Sequence, residues 1–391
     1  MNRIVKSILF CLVVVGLFVG CSRGSEQSPT TAVDLPATDT PIPSPTDDGF
    51  DRRAMLENIT NQVIVPAHEA FVVTLVELET AVEAFTADPN AETLAAVQET
   101  RLAANLSRMA LLPFRIGLVD DSLLHSRLDK RPPRTIFVDE TIIAGTEPIT
   151  NDYLASIGST SVGLGVMEYL IFEPTAGDDV VLTAFTNAEN AGRRRELLLA
   201  LAQNLHQRGM ELALLWSAEG DNYARSFIDA DMDGGELQGS MNMLVNQMIA
   251  DCEEIISSRL GKPAGKRTNG AIRPDLAEAI YSEASLPRII ATVEALQATF
   301  NGGEGLGFDD YLDYLDAAYE GEPLSTAING RFETSLAALN GIDSTLESAV
   351  QTNLPQVDAA IEELRALLVL LKVDMPNHLE VTLTFNDNDG D

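Results

Sequence analysis

The chain has 391 residues, with 59 acidic against 26 basic side chains and a formal charge of −33. That excess of anions excludes a protein that holds nucleic acid by its phosphates, and it excludes electrostatic docking on an anionic membrane. A hydrophobic fraction of 45% excludes disorder throughout, while 6% aromatics beside many Ala, Leu and Glu point to helices.

Residues 1–20 read as an export signal. Arg3 and Lys6 precede a short apolar run, residues 8–19, that is too brief for a membrane span. The run ends Leu17-Phe18-Val19-Gly20-Cys21, which resembles a bacterial lipobox. The resemblance implies cleavage before Cys21 and acylation of that cysteine, with several acyl chains supplying a stable anchor. Ser22 in the next position implies outer-membrane retention facing the periplasm in a Gram-negative host. Loss of Arg3 and Lys6 takes the charge from −33 to −35. Residues 21–50, rich in Ser, Thr, Pro and Asp, form a flexible tether. Cys252 then has no partner in the mature chain and reads as a small core residue.

From residue 51 onward the apolar period is helical. Residues 52–87 form one pattern that Pro66 should kink or restart. A second helix covers 91–112, and 113–150 is a long connection around Pro132-Pro133. A third helix is expected at 161–173, with Ser161 as its cap, and a fourth at 188–217. The fourth carries Leu198, Leu201, Leu205, Leu212 and Leu215 on one stripe interrupted by Arg208. The period breaks at 229–239, which divides a first bundle, 51–230, from a second, 231–391. Helices follow at 240–260, 274–300, 307–319, 323–341 and 343–372, and the alternating 379–385 predicts a short terminal strand. The fold class is all-α, two four-helix bundles with that one strand.

Chemistry-bearing motifs are sparse. His68, His125, His206 and His378 stand in no zinc-protease spacing, and no nucleophile elbow exists. Asp229, Asp231 and Asp233 with Gly234 give the first half of an EF-hand loop, a calcium candidate, but Ser240 stands where the closing bidentate glutamate belongs. The run Gly163-Leu-Gly165-Val-Met-Glu168-Tyr-Leu-Ile-Phe172 is the most distinctive. A carboxylate amid residues that face a core needs a partner or a raised pKa, so Glu168 is a candidate functional group, with a buried structural ion pair as the rival reading.

This run resembles the Gly-x-His-x-x-Glu motif of the imelysin-like family of bacterial envelope proteins. Gly163, Glu168 and Tyr169 to Phe172 match, whereas Gly165 replaces the histidine. Tyr281 to Leu286 resembles the family's Glu-Ser-x-x-Ser segment, with Glu283 and Ser285 in register. Val65-Pro66, Phe114 to Gly117, Trp216 and the acidic tail after Phe385 fall in matching order, so the likeness covers 55–391. It implies a groove between two bundles, lined here by Gly163, Gly165, Glu168, Glu283 and Ser285. The family includes insulin-cleaving metallopeptidases and proteins of iron-regulated uptake, and a metal ion is the one cofactor it raises. Without the histidine, the expected function is a non-enzymatic, lipid-anchored protein that binds an envelope ligand or partner, linked to iron or metal acquisition. The alternatives are an imelysin-type metallopeptidase and a structural lipoprotein that docks a partner.

Overall fold

In the computed structural model, residues 49–230 and 239–384 are described. Helix α1, Arg52–Ile59, is capped by Asp51, whose carboxylate accepts the N–H of Ala54. Pro66 has no N–H to return to the preceding turn. The chain answers with a π-helical stretch, Thr60–Ile64, before helix α2, Val65–Ala87, with Pro66 in its first turn. Asn90 and Thr93 form a reciprocal capping box that starts α3, Ala91–Met109. Residues 113–150 are more ordered than a plain connection. They hold short helical turns at Leu118–Asp121, Leu124–Leu128 and Thr135–Phe137 and a π-helical stretch at Val138–Ile143.

Helices α4, Gly163–Ile171, α5, Asp178–Thr186, and α6, Ala191–Trp216, complete the first half, with α7, Tyr223–Asp229, after them. Ser161 does not cap α4; it lies buried in a 3-10 turn, and Val162 takes the cap position with no side-chain bond. On α6 the expected stripe is inward, and Arg208 stands beside it, paired to Glu211 at 2.5 Å.

The second half contains α8, Ser240–Glu254, prolonged by π-helical Ile255–Leu260, then α9, Ser285–Asn301, and α10, Phe308–Tyr314. Residues 274–284, expected in the helix of α9, are mostly loop. Pro287 fits only the first turn of a helix, so α9 begins at Ser285. A two-residue hairpin that no pattern announced, Ala318–Tyr319 (β1) against Glu322–Pro323 (β2), leads into α11, Leu324–Asn340. The expected helix at 343–372 is divided by the same rule: α12, Leu346–Thr352, stops before Pro355, and α13, Leu354–Val369, restarts with that proline in its first turn.

Packing follows the helical stripes. Helix α2 lies against α3 and α6, and α4 crosses α3 and α6, giving the first bundle. In the second, α11 packs on α9 and α13, and α8 on α13. Helices α3 and α9 pack against each other and join the halves, and the described residues belong to one compact unit. Cys252 is a core residue with no exposed surface. Of the calcium candidates, Asp231 and Asp233 lie outside the described residues, while Asp229 is paired to Arg53 at 2.9 Å.

The terminal strand is not formed at 381–384. Its main chain is held by two asparagines of α8 instead of a neighbouring strand. Asn242 Oδ1 accepts the N–H of Thr382 at 2.9 Å; Asn246 accepts the N–H of Thr384 at 2.8 Å and donates to Thr382 O at 2.9 Å. Asn246→Ala should therefore speed hydrogen exchange at the Thr384 amide more than tenfold while the Thr382 amide, held by Asn242, changes far less. Equal loss of protection at both amides would refute this division of roles.

Candidate functional site

Glu168 sits in the second turn of α4 with no exposed surface. Glycine is required at the helix start: Gly163 has φ +81°, and a Cβ there would stand 2.4 Å from Leu128 O. That close approach brings the chain after Leu128 against α4. Two arginines converge on one Glu168 oxygen, Oε2: Arg101 Nη2 of α3 and Arg131 Nη2 of the 129–134 loop, each at 2.6 Å. The other oxygen accepts from the Ser282 N–H at 3.0 Å and the Ser282 hydroxyl at 2.9 Å. Both oxygens are thus engaged, and groups from both halves hold them.

The centre continues along the seam. Asp129, buried, meets Arg131 Nε at 3.0 Å and Arg288 Nη1 of α9 at 3.0 Å, with Arg108 Nη1 at 3.9 Å. Glu278 accepts from Arg259 Nη2 at 2.6 Å and pairs with Arg288 Nε at 3.1 Å. Arg101, Asn105 and Arg108 share one face of α3 at helical spacing, and Asn105 accepts from Arg288. Five arginines therefore surround three carboxylates, an excess of buried positive charge in a strongly acidic chain.

Burial opposes the charge on Glu168, but Arg101, Arg131 and the Ser282 N–H outweigh it and hold the carboxyl at about 2. Glu278 stands at about 2 by the same balance with Arg259 and Arg288, and Asp129 lies well below its ordinary value. Desolvation pulls Arg101 and Arg108 down to about 10, so both remain cationic at neutral pH.

Of the sequence candidates, Gly163, Gly165, Glu168 and Ser285 lie in the interior and Glu283 on the surface. Ser282, one residue before Glu283, is the member of that segment that reaches Glu168. Glu283 occupies the turn before α9 with φ +52°. Ser285 accepts the Ala279 N–H and donates to Glu347 at 2.5 Å; burial pushes the Glu347 carboxyl up. Arg101, Arg131, Asp129, Glu278 and Arg288 were not singled out by sequence motifs. One signal existed for the α3 residues: Arg101 and Arg108 continue the buried stripe of Leu94 and Val97, where an aliphatic side chain is expected.

A divalent cation does not fit at Glu168. It would have to displace two guanidinium groups from a pocket already rich in positive charge, and Gly165 offers no ligand. A Cβ at Gly165 would stand 3.3 Å from Asp129 Oδ1 and 3.7 Å from Arg131 Cγ, so the space facing the motif's histidine position is filled by residues 129–131. Among the described residues no group of three or more His, Cys, Asp or Glu side chains could hold a metal ion.

The imelysin family profile, Peptidase M75, matches residues 64–372. The chain belongs to the imelysin family. Solved structures share the fold. A protein of Parabacteroides distasonis ATCC 8503, described as an iron-regulated protein A precursor, superposes with a TM-score of 0.69 at 16% identity, covering 85% of this chain and 95% of its own. An imelysin-like protein of Psychrobacter arcticus 273-4 gives 0.67 at 15% identity, covering 85% and 96%. No curated protein matches the chain. In this imelysin the motif glutamate is an ion-paired bond between two halves.

The sign of its pH dependence follows. Each of Glu168, Asp129 and Glu278 has a folded pKa below its unfolded one, so its stabilisation is complete above the unfolded value, 4.5 for the glutamates and 3.8 for Asp129, and is lost as pH falls toward 2. Urea midpoints measured from pH 6 to pH 3 should drop steeply below pH 4.5. Glu168→Gln should cost about 3–5 kcal/mol at pH 7, by leaving buried guanidinium groups without their counter-charge, and should flatten that drop. An unchanged midpoint at pH 7 would contradict the assignment.

Proposed function

We propose that this imelysin is a non-enzymatic binding protein of the cell envelope, held by a lipid on Cys21 and a tether ending near residue 50, and serving iron or metal acquisition. The carrying observation is the state of Glu168. A carboxylate that bonds two arginines and two groups of Ser282 has no lone pair directed to a metal or a proton in transit, so it serves neither as ligand nor as general base. Support for the envelope setting comes from the lipobox-like end of the export signal, and no helix of the described residues is long and apolar enough to cross a membrane. The description of the similar Parabacteroides protein as iron-regulated motivates the link to iron. In this reading the acidic surface solvates the chain, and recognition takes place away from the arginine centre.

Purified chain lacking the export signal, dialysed against micromolar zinc at pH 7.5, should retain well under one-tenth of an equivalent and leave unfolded peptide substrates intact. Retention of one equivalent of zinc that is lost in Glu168→Gln, together with peptide cleavage, would overturn the non-enzymatic reading.

A further inference from the structure

The first bundle carries a second feature that shares no residue with the Glu168 centre. Helices α1, α2, α6 and α7 line a cavity of about 830 Å³, within the size range of small-molecule sites. The π-helical stretch before Pro66 contributes Asn61 to the lining, and Val65 follows at its exit. Such stretches recur at functional sites. The walls are mostly apolar: Val65 and Val72 come from α2, Met210 and Leu214 from α6, and Ile228 from α7. Leu214 is 45% exposed and Met210 42%, so apolar surface is open to whatever enters.

The charges of this lining do not balance. Arg53 and Glu57 of α1, Glu69 of α2 and Arg225 of α7 belong to it. Arg53 is held by Asp229 at 2.9 Å and by Glu57 at 3.4 Å, and Arg225 approaches Asp229 at 3.6 Å. Among the described residues Glu69 has no ion pair. Two arginines therefore stand with three carboxylates, and the surplus is one negative charge. Val65, Glu69 and Val72 follow at i, i+4 and i+7, so the carboxylate shares a face of α2 with two apolar side chains. Glu69 is exposed, and a ligand in the cavity reaches it without opening the fold. The nitrogens of His68 and Trp216 that lack partners are sealed from solvent and offer a ligand nothing. Polar recognition thus falls to Glu69. A carboxylate only accepts hydrogen bonds, so its complement is a cationic donor, an ammonium group. An anion would meet Glu57 and Glu69 as like charges.

We propose that this cavity binds a monovalent organic cation, its bulky hydrocarbon body against Val72, Met210, Leu214 and Ile228 and its single ammonium group on Glu69. The proposal rests on the binding reading above and adds to it a class of ligand, at a site independent of the Glu168 centre.

The test is calorimetric titration of the chain without its export signal, at low ionic strength, with three probes of one shape: biphenyl-4-ylmethylammonium, biphenyl-4-ylmethanol and biphenyl-4-carboxylate. The ammonium should bind saturably at one equivalent. The carboxylate, a like charge to Glu69, should bind roughly tenfold more weakly. An exposed ion pair is worth up to about fivefold in affinity, so Glu69→Gln should weaken the ammonium by about that factor and leave the alcohol unchanged. Glu77→Gln, on the same helix but outside the lining, should change neither, which separates the site from general attraction to an acidic surface. Val72→Trp, which fills the cavity from its half-buried wall, should abolish binding while the far-ultraviolet circular dichroism is unchanged. No saturable binding of the ammonium, equal affinity for ammonium and carboxylate, or the same loss in Glu77→Gln as in Glu69→Gln would overturn the proposal, and so would undiminished binding to a folded Val72→Trp. None of these results moves the zinc and peptide outcomes, so the two readings fail separately.

Discussion

Two guanidinium groups closing on one buried carboxylate set the terms for the rest of this molecule. Arg101 comes from α3, Arg131 from the loop after Leu128, and the remaining oxygen of Glu168 is taken by Ser282 of the second half. A charge in the interior is tolerated only when its partners are in place, so each of these segments must arrive in register for any of them to be stable. Residues 129–134 and 277–284, with little regular structure, are tied down by these pairs. Each carries charge into the centre, through Asp129 and Arg131 in one and Glu278 in the other. A well-packed apolar seam could match this in stability. What the ionic seam adds is specificity of alignment between α3 and α9, because a shifted register strands a charge.

The same centre engages both oxygens of the family motif's glutamate in this chain. Where the motif has a histidine, Gly165 leaves the α4 surface flat, and Asp129 and Arg131 fill the space facing it. The cation that neutralises Glu168 is therefore supplied by the protein itself. Gly165 and Arg131 are parts of one arrangement, since a Cβ at Gly165 would stand 3.7 Å from Arg131 Cγ.

Much of the fold was legible in the sequence because helical stripes are local. The seam Leu346 to Leu371 and the leucines of α6 lie inward as their spacing requires. Errors fell where proline rules decide: Pro287 and Pro355 shorten helices that periodicity alone would merge. The segment 379–385 alternates as a strand does, but alternation does not say who will satisfy the backbone, and here side chains of Asn242 and Asn246 do so. Glu168 stood out because a carboxylate amid apolar residues demands an explanation. Its partners did not, since Arg101 lies 67 residues away and pairing across that distance leaves no pattern in the chain. The family segment led to Glu283, yet the contact is made by its neighbour Ser282, whose N–H and hydroxyl are what a carboxylate oxygen needs.

The most direct test of the central claim is a double-mutant cycle between Arg101→Met and Glu168→Gln, followed by urea denaturation at pH 7 with Trp216 fluorescence and circular dichroism as probes. If the buried pair binds the halves together, each single substitution costs several kcal/mol and the double substitution costs far less than their sum, because Arg101 and Glu168 are removed together while Arg131 keeps Asp129. Additive costs, with no coupling between the two positions, would contradict the account.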